Sequence, residues 1–283
     1  MKFELQRIES TKNTAFKQAL KWLKAPAAKN RTNQVAWCEG LHLAFEVFQH
    51  AAHTIEQVWL PQSLFQHNEF SRLKNLLTDC ATAKKPESLS TYSVFEVPDW
   101  LYCKLSEQEC PVGPLVVFKP LVVESTSAQI QQHGLSDWVI LDGVQDPNNL
   151  GAILRTCAAA SVQHIGLTSG CAWPWGSKAL RAGMGAQWHL KFFESHQLPN
   201  FSQSIYATHL ASSSVPLYSL NLTQPTVWVF GHEGQGVCVE WLEKANCCVR
   251  IPQSTAVESL NVASSVAIVL FEQMRQRINS INC

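Results

Sequence analysis

Three polar, glycine-marked segments of the chain carry the side chains whose types and spacing could do chemistry. The first, DGVQDPNNLGAILRT at residues 142–156, holds Asn149 and Arg155, and the second is GHEGQG at residues 231–236. The third, IPQSTAVESLNVA, spans residues 251–263. Arginine and asparagine bind phosphates and hydroxyl groups through directed hydrogen bonds, and glycines let a ligand approach the backbone closely. Together the segments indicate a ligand-binding site.

Each segment alone also has a simpler structural explanation. The first is then a capped helix whose Arg155 pairs with a carboxylate. The second is a plain glycine turn, and the third places Ser259 and Asn261 where they satisfy backbone groups at the start of a helix. These alternatives stay open while the segments are considered one at a time.

The spacings of four common site types are missing. The sequence contains no GxxxxGK[ST] phosphate loop, no HExxH, no GxSxG and no GxGxxG after the first strand of the C-terminal half, and its ten histidines are dispersed. These motifs position phosphates, zinc ions, serine nucleophiles and dinucleotides respectively. The sequence therefore disfavours a P-loop NTPase, a zinc hydrolase and a dinucleotide enzyme, and it predicts no metal site.

The C-terminal half shows alternating strand and helix patterns, and these elements are the ones that would position the three segments. The predicted strands are WVILDGV, HIGLT, LKFFES, SIYATHL, VWVFG and CCVRIP. Helices are predicted at NLGAILRTCAAA and at residues 177–185, 237–242 and 258–278. This alternation predicts an α/β fold with a mostly parallel sheet, and ligands bind such sheets where strands give way to loops.

The N-terminal half predicts a smaller α/β domain. Residues 3–24 have helical periodicity, and short apolar runs then alternate with helical patterns as far as residue 118. The polar stretch before residue 135 is typical of a linker. We therefore expect an N-terminal domain at residues 1–125, a linker at 126–135 and a catalytic domain at 136–283.

Composition restricts the function classes. Hydrophobic residues make up 46% of the 283 residues, which excludes an extended disordered chain. The net charge is zero, so a polyanion must be held by a local patch, and residues 1–31 hold eight basic residues against two acidic ones. The ten cysteines include no CxxC pair, and there is no export signal or 18-residue apolar run. These features predict a cytoplasmic protein with reduced thiols and no membrane span.

The three segments, in this order and spacing, resemble the signature motifs of the SpoU/TrmH family of RNA ribose 2'-O-methyltransferases, which belong to the knotted SPOUT class. The resemblance covers DPNNLGAILRT, SKALRAGMGA, GHEGQG and IPQSTAVESLNVASSVAIVLFE. It extends more weakly to AWCEGLHLAFEVF and LYCKLSEQECPVGPLVVF, which are similar to an RNA-binding domain of the ribosomal L30e type. The resemblance therefore implies a trefoil-knotted catalytic domain preceded by an L30e-like domain.

The resemblance also implies roles for particular residues. The implied catalytic residues are Asn149, Arg155, Glu233, Ser259 and Asn261. The implied S-adenosylmethionine-binding residues are Gly231, Gly236, Ile251 and Leu260. The implied RNA-binding residues are Arg31, Lys178 and Arg181. An arginine guanidinium stays protonated and is a poor base, so Arg155 is expected to bind a phosphate and polarise the hydroxyl while a phosphate oxygen or water takes the proton.

Two residues depart from the family pattern. His232 stands where asparagine is usual, and Gln253 stands where an apolar residue is usual. The first is expected to alter contacts around the substrate ribose or a partner subunit, and the second to alter cofactor packing. Trp173 and Trp175 precede the RNA-facing segment, where core packing is favoured over base stacking.

The resulting hypothesis is a cytoplasmic, S-adenosylmethionine-dependent RNA 2'-O-methyltransferase that forms a homodimer. Ribosomal RNA is the favoured substrate because relatives that act on transfer RNA often lack the extra domain, and transfer RNA is the runner-up. The alternatives are a non-catalytic RNA-binding paralogue acting in ribosome assembly and a small-molecule methyltransferase. The basic N-terminal segment disfavours the small-molecule enzyme.

Overall fold

The computed structural model describes residues 5–82, 92–109, 113–120 and 136–281. The predicted linker at 126–135 lies outside these residues. The chain divides into two compact units, Met1–Leu121 with Trp175–Trp188, and Val122–Pro174 with His189–Cys283. The segment Trp175–Trp188 therefore packs with the N-terminal part of the chain.

The first unit is built on a five-stranded mixed sheet in the order β1-β4-β3-β5-β2. The strands β1, β4 and β3 are parallel, whereas β5 runs antiparallel to β3 and β2. The strands are β1 (Leu5–Arg7), β2 (Ala36–Glu39), β3 (Ile55–Pro61), β4 (Ser93–Val97) and β5 (Leu115–Phe118). The helices that precede or connect them are α1 (Thr14–Leu23), α2 (Ala27–Asn33), α3 (Leu41–His50), α4 (Phe70–Thr82) and α5 (Asp99–Tyr102).

The prediction of one helix over residues 3–24 is wrong at its start. Leu5 instead pairs with Val94 in β1 and β4. The helix begins at Thr14 because the Asn13 side chain accepts hydrogen bonds from the backbone N–H groups of Ala15 and Phe16, which caps the first turn. The apolar periodicity of the helix extends back through the β1 residues, but the N-cap Asn13 marks where the helix begins.

The second unit is built on a seven-stranded sheet in which every strand pair is parallel, in the order β10-β12-β9-β11-β6-β7-β8. Its strands are β6 (Trp138–Asp142), β7 (His164–Leu167), β8 (Lys191–Glu194), β9 (Ser204–Thr208), β10 (Val215–Pro216), β11 (Thr226–Gly231) and β12 (Cys247–Arg250). The predicted parallel α/β fold is confirmed. The two-residue β10 lacks an apolar run and was not predicted.

Within the described residues, three α-helices belong to the second unit, and a fourth packs with the first. The second unit contains α6 (Pro147–Ala159), α8 (Val239–Lys244) and α9 (Val262–Ile281), and α7 (Ser177–Gly183) lies in the segment assigned to the first unit. The final helix was predicted from residue 258 and begins at Val262, because Asn261 caps it by accepting hydrogen bonds from the backbone N–H groups of Ala263 and Ser264. None of the described helices is long and apolar enough to cross a membrane.

A buried polar contact fixes α9 to the sheet. The Gln273 side chain is buried and its Oε1 accepts hydrogen bonds from Thr226 Oγ1 and Trp228 Nε1, both at 2.7 Å. Near the end of the helix, Arg277 forms a two-pronged ion pair with Asp137. These contacts hold the middle and the end of α9 against the sheet and the segments beside it.

Packing and thiol chemistry follow the sequence-based expectations in two places. Trp175 is buried and packs against Phe118 and Trp188 within the first unit, which confirms core packing for this tryptophan. Seven cysteines are free thiols, namely Cys38, Cys103, Cys157, Cys171, Cys238, Cys247 and Cys248. The neighbouring Cys247 and Cys248 lie in β12 as predicted.

Candidate cofactor and active site

A cavity of about 510 Å³ opens where the carboxyl ends of the parallel strands β9, β11 and β12 meet the segment before α9. All four predicted cofactor-binding residues line it: Gly231, Gly236, Ile251 and Leu260. Three of the five predicted catalytic residues also line it: Glu233, Ser259 and Asn261. Small-molecule sites commonly have volumes of about 300–1,000 Å³ and lie at this end of a parallel sheet. Folding therefore brings the second and third motif segments to one cavity.

The GHEGQG segment is a tight loop that only glycine permits at its start. The backbone N–H of His232 donates to the carbonyl of Gly236 at 3.0 Å, and the N–H of Gly236 donates back at 2.9 Å. A Cβ on Gly231 would lie 2.1 Å from the carbonyl carbon of Gly236, and Gly236 itself has a φ of +73°. The simple-turn interpretation is correct for the backbone, but this turn also forms a wall of the cavity.

Hydrogen bonds between side chains join the three motif segments. Asn149 donates from Nδ2 to Oε1 of Glu233 at 3.1 Å, and its Oδ1 accepts from Nδ2 of Asn261 at 2.9 Å. Asp146 caps α6 by accepting a hydrogen bond from the Asn149 backbone N–H at 2.8 Å. The Asn149 side chain is thereby left to bridge the other two segments. Asn261 caps α9 with its Oδ1 and donates to Asn149 from its Nδ2. Its capping role is therefore compatible with the predicted role at the site.

The Glu233 carboxylate is held in its ionised form. Partial burial acts to raise its pKa, but hydrogen bonds from the Asn149 side chain and from the backbone of Glu233, Asp146 and Gln145 lower the pKa overall. A carboxylate with a lowered pKa is a poor proton donor at neutral pH and a weak base. Glu233 therefore suits the orientation of Asn149 better than proton transfer.

Arg155 has a different environment from the other predicted catalytic residues. It is exposed on α6 and does not line the cavity. Within the described residues it makes no hydrogen bond or ion pair, so no described carboxylate supports the simple ion-pair interpretation. Its guanidinium keeps its donors available to an external anion.

The predicted RNA-binding residues lie in the first unit. Lys178 and Arg181 are exposed on α7, and Arg31 is exposed on α2.

The two departures from the family pattern have identifiable contacts at the cavity. The ring Nδ1 of His232 accepts hydrogen bonds from the backbone N–H groups of Gly234 and Gln235 at 2.9 and 3.2 Å. Gln253 donates from Nε2 to the carbonyl of Glu258 at 3.2 Å, which braces the third segment. Both side chains therefore shape the loops of the cavity.

Sequence reasoning missed two contributors to the site. Asp142, at the end of β6, accepts a hydrogen bond from Thr168 Oγ1 at 2.9 Å and from the backbone N–H of Cys238 at 2.7 Å, which anchors the chain just after the glycine loop. His209, which follows β9, lines the cavity. The available signal was position alone, because both residues lie at the carboxyl end of a predicted strand.

The lining of the cavity fits S-adenosylmethionine. The glycine loop exposes backbone at Gly234 and Gln235, and side chains such as Ile251 and Leu260 supply apolar surface. An adenosine group bound largely by backbone needs close approach, and at Gly236, which lines the cavity, the space that a Cβ would occupy is open to a distance of 4 Å. The cavity is also large enough for a ligand of this size class.

Comparisons with known proteins agree with this site. A profile of the SpoU rRNA methylase family matches residues 138–271. A protein of Synechocystis sp. described as an uncharacterized tRNA/rRNA methyltransferase is 39% identical over 145 residues, which are 49% of this chain and 53% of that protein. The chain thus spans about half the length of this relative.

Two further similarities extend this finding. The tRNA (guanosine(18)-2'-O)-methyltransferase of Thermus thermophilus is 34% identical over 151 residues, which are 50% of this chain and 76% of that enzyme. The crystal structure of an AdoMet-bound rRNA methyltransferase from Sinorhizobium meliloti superposes with a TM-score of 0.80 at 22% identity, covering 96% of this chain and 98% of that one. The superposition shows a shared fold. The motifs, the profile and the Thermus relative together show that the chain belongs to the SpoU rRNA methylase family.

Proposed function

We propose that this protein transfers the methyl group of S-adenosylmethionine to a ribose 2'-hydroxyl of RNA. The observation that carries the proposal is the chain of hydrogen bonds from Glu233 through Asn149 to Asn261, which joins all three family motifs beside the cavity. Methyl transfer needs a cofactor pocket, an oriented hydroxyl and a route for its proton. These residues and Arg155 can meet those needs.

The chemistry divides between the cofactor and the protein. When bound, S-adenosylmethionine supplies a methyl group activated by its sulfonium, so that the C–S bond breaks as the new C–O bond forms. Arg155 binds the phosphate beside the target ribose in a bidentate way and polarises the hydroxyl. The hydroxyl proton passes to a phosphate oxygen or to water. Asn149, Ser259 and Asn261 orient the ribose, and ionised Glu233 holds the Asn149 amide in place.

The domain plan supports an RNA substrate. We assign residues 1–125 to an L30e-like RNA-binding domain, 126–135 to a linker and 136–283 to a trefoil-knotted methyltransferase domain. The mixed sheet of the first unit and the all-parallel sheet of the second are compatible with this division. Lys178, Arg181 and Arg31 are the predicted phosphate contacts.

A basic groove in the first unit adds a specific candidate for phosphate binding. It has a volume of about 390 Å³ and contains Lys17 and Lys21 of α1, Lys29 of α2 and the ring of Trp22. No acidic side chain lines it, and these lysines form no ion pair within the described ranges. Basic side chains beside an aromatic ring suit a single-stranded RNA backbone with a stacked base.

Lysine substitutions test this groove. The variant Lys17→Ala/Lys21→Ala should weaken RNA binding and reduce the slope of log affinity against log salt by about 1.4–1.8, since each lost phosphate contact removes about 0.7–0.9. The matched control Lys12→Ala/Lys74→Ala removes two exposed charges outside the groove and should keep the wild-type slope. Equal slopes for the two double variants would exclude the groove.

Ribosomal RNA is the favoured substrate. The family whose profile matches is described as the SpoU rRNA methylase family. The S. meliloti protein that superposes along nearly the whole chain is described as an rRNA methyltransferase. The tRNA enzyme of Thermus aligns with only 50% of this chain. Transfer RNA is the second candidate because of that same relative.

We further propose a cytoplasmic homodimer. Phe271 and Ile278 of α9 are 49% and 48% exposed, and seven residues of helix place them on one face. A face with two large apolar side chains suits a second copy of this chain, as the family resemblance implies. Light scattering should give the dimer mass for the wild type and a smaller mass for Phe271→Glu/Ile278→Glu, whereas a monomeric wild type would refute the dimer.

Deletion and cofactor binding separate the remaining alternatives. A non-catalytic paralogue should not bind S-adenosylmethionine at micromolar concentrations, equivalent to about 8 kcal/mol. A small-molecule methyltransferase should keep its activity after removal of residues 1–125. The proposed RNA enzyme should bind the cofactor and lose activity on RNA with that deletion.

A further inference from the structure

We propose that His232 is a positioning residue whose neutral, Nε2-protonated imidazole holds the glycine loop in its cofactor-binding shape. This inference rests on the proposed function, because its binding test uses S-adenosylmethionine as the ligand. The loop, residues 231–236, forms one wall of the cavity. His232 departs from the asparagine that the family resemblance predicts at this position.

Four hydrogen bonds of His232 hold this loop. Its backbone N–H and carbonyl bond with Gly236 at 3.0 and 2.9 Å and close the turn. Its ring Nδ1 accepts from the N–H of Gly234 at 2.9 Å and from the N–H of Gln235 at 3.2 Å. The ring therefore satisfies the backbone donors inside the turn that its main chain closes.

These contacts fix the tautomer of the ring. A ring nitrogen that accepts a hydrogen bond carries no proton, and a neutral imidazole carries one proton in total. That proton must then lie on Nε2, and within the described residues no acceptor contacts it. The Nε2–H is therefore the donor that His232 retains at the cavity.

A second proton on the ring is incompatible with this loop. The charged imidazole carries a proton on both nitrogens, so Nδ1–H would face the N–H groups of Gly234 and Gln235. Two backbone donors would lose their acceptor, and the turn would open. An asparagine Oδ1 can accept from N–H groups two and three residues ahead in the same way, but it cannot take up this proton.

Other ionisable groups adjoin the ring and must be distinguished from it. Gly143, which follows β6, lies against His232, and a Cβ at that glycine would be 3.7 Å from the Cβ of His232. The charged or titratable side chains on the elements around the ring and the cavity are Asp142, Asp146, His209, Glu233, Arg250 and Glu258. The test must therefore change His232 alone and leave these groups in place.

Nitrogen-15 NMR of the full chain, labelled at histidine, reads the tautomer directly. At about pH 8, where an ordinary histidine is neutral, the His232 signals should show a protonated Nε2 and an unprotonated Nδ1. Comparison with His232→Asn assigns the signals. A protonated Nδ1 at that pH would overturn the proposal, whether or not the protein methylates RNA.

Calorimetric binding of S-adenosylmethionine without RNA tests the consequence. At about pH 8, His232→Asn should bind S-adenosylmethionine within twofold of the wild type, because asparagine keeps an acceptor for the backbone N–H groups of Gly234 and Gln235. The matched control is His67→Asn, since His67 Nδ1 also accepts one backbone N–H, from Glu69, in the first unit. This control should keep the wild-type affinity.

His232→Ala separates positioning from a general role of the ring. It should weaken cofactor binding about tenfold or more, with rescue by asparagine at that position. In methyl transfer, the apparent KM for the cofactor should rise more than kcat falls. If alanine at this position binds the cofactor as well as asparagine, or if asparagine binds it as weakly as alanine, the proposal is wrong. If His232→Ala does not fold, the asparagine comparison and the NMR measurement still decide.

Discussion

Asn149 Nδ2 lies 3.1 Å from Oε1 of Glu233, although 84 positions separate the two residues in the sequence. Asn149 extends from the first turn of α6, and Glu233 from the loop that follows β11. Because β6 and β11 are parallel neighbours, their carboxyl ends place these side chains together. The amide then contacts Asn261 from its other side and joins all three motif segments.

Replacing Asn149 by aspartate should damage this contact more than replacing it by alanine. Aspartate removes the donor and places a second carboxylate beside Glu233, whereas alanine only removes the bond. We expect Asn149→Asp to lower the free energy of unfolding by about 1–3 kcal/mol at pH 7 and Asn149→Ala by less. Urea unfolding measures both.

The difference between these two variants should shrink below about pH 4, where carboxylates take up protons. A difference that persists at low pH would mean that charge repulsion at Glu233 is not its cause.

Glu233→Gln tests the ionised state of this carboxylate. The folded pKa of Glu233 is lowered, so its contribution to stability is present above the ordinary glutamate pKa and is lost as the pH falls through the lowered value. The wild type should exceed the glutamine variant by at most about 1 kcal/mol at pH 7, because the side chain is largely exposed, and the excess should vanish at low pH.

Unfolding in urea at several pH values measures this excess, with Glu243→Gln as a control for removing one exposed carboxylate on α8. An excess that grows as the pH falls would have the wrong sign and would refute the lowered pKa.

The glycine loop predicts opposite outcomes for two neighbouring glycines. An alanine Cβ at position 231 would lie about 2 Å from the backbone of Gly236, so Gly231→Ala should abolish cofactor binding and lower the free energy of unfolding by about 1–3 kcal/mol. At Gly234 a Cβ meets only the His232 ring, at 3.7 Å. Gly234→Ala should therefore bind S-adenosylmethionine within a few-fold of the wild type.

Calorimetry and thermal unfolding compare the two variants. Normal cofactor binding by Gly231→Ala would exclude this loop from the cofactor site.

The sequence predicted the second unit well because its central strands β6, β7 and β11 are buried along nearly all of their length. Runs such as WVILD and TVWVF are apolar at nearly every position, and turn residues bound them, so six of the seven strands and a mostly parallel sheet could be inferred, whereas the two-residue β10 could not. Family membership, predicted from the order and spacing of the motifs, is likewise confirmed by the family profile and the Thermus relative.

Other features depend on contacts that periodicity does not encode. The strand at Leu5–Arg7 shares its amphipathic pattern with a helix, and only pairing with β4 distinguishes them. The bridging role of Asn149 required Asp146 to take the capping position, and two suitable cap residues in one turn cannot be ranked by spacing. The ring orientation of His232 depends in the same way on the backbone of a folded loop.

Arg155→Ala should separate catalysis from cofactor binding. The side chain is exposed and does not line the cavity, so cofactor affinity should stay within a few-fold of the wild type. Loss of its contact with the substrate should reduce methyl transfer by a factor of about 100 or more. Arg155→Lys keeps the charge but not the bidentate geometry and should recover only part of the activity. Wild-type turnover by the alanine variant would remove Arg155 from the mechanism.

The most direct test is transfer of labelled methyl from S-adenosylmethionine to total RNA from cells lacking this gene, separated into ribosomal and transfer RNA. The wild type should label ribosomal RNA at a site that resists alkaline cleavage, and Arg155→Ala should leave it unlabelled. Label in transfer RNA would keep ribose methylation and change the substrate. Measurable cofactor binding with label on a base, or with no label in either RNA or in ribosomal particles, would contradict ribose 2'-O-methylation by this protein.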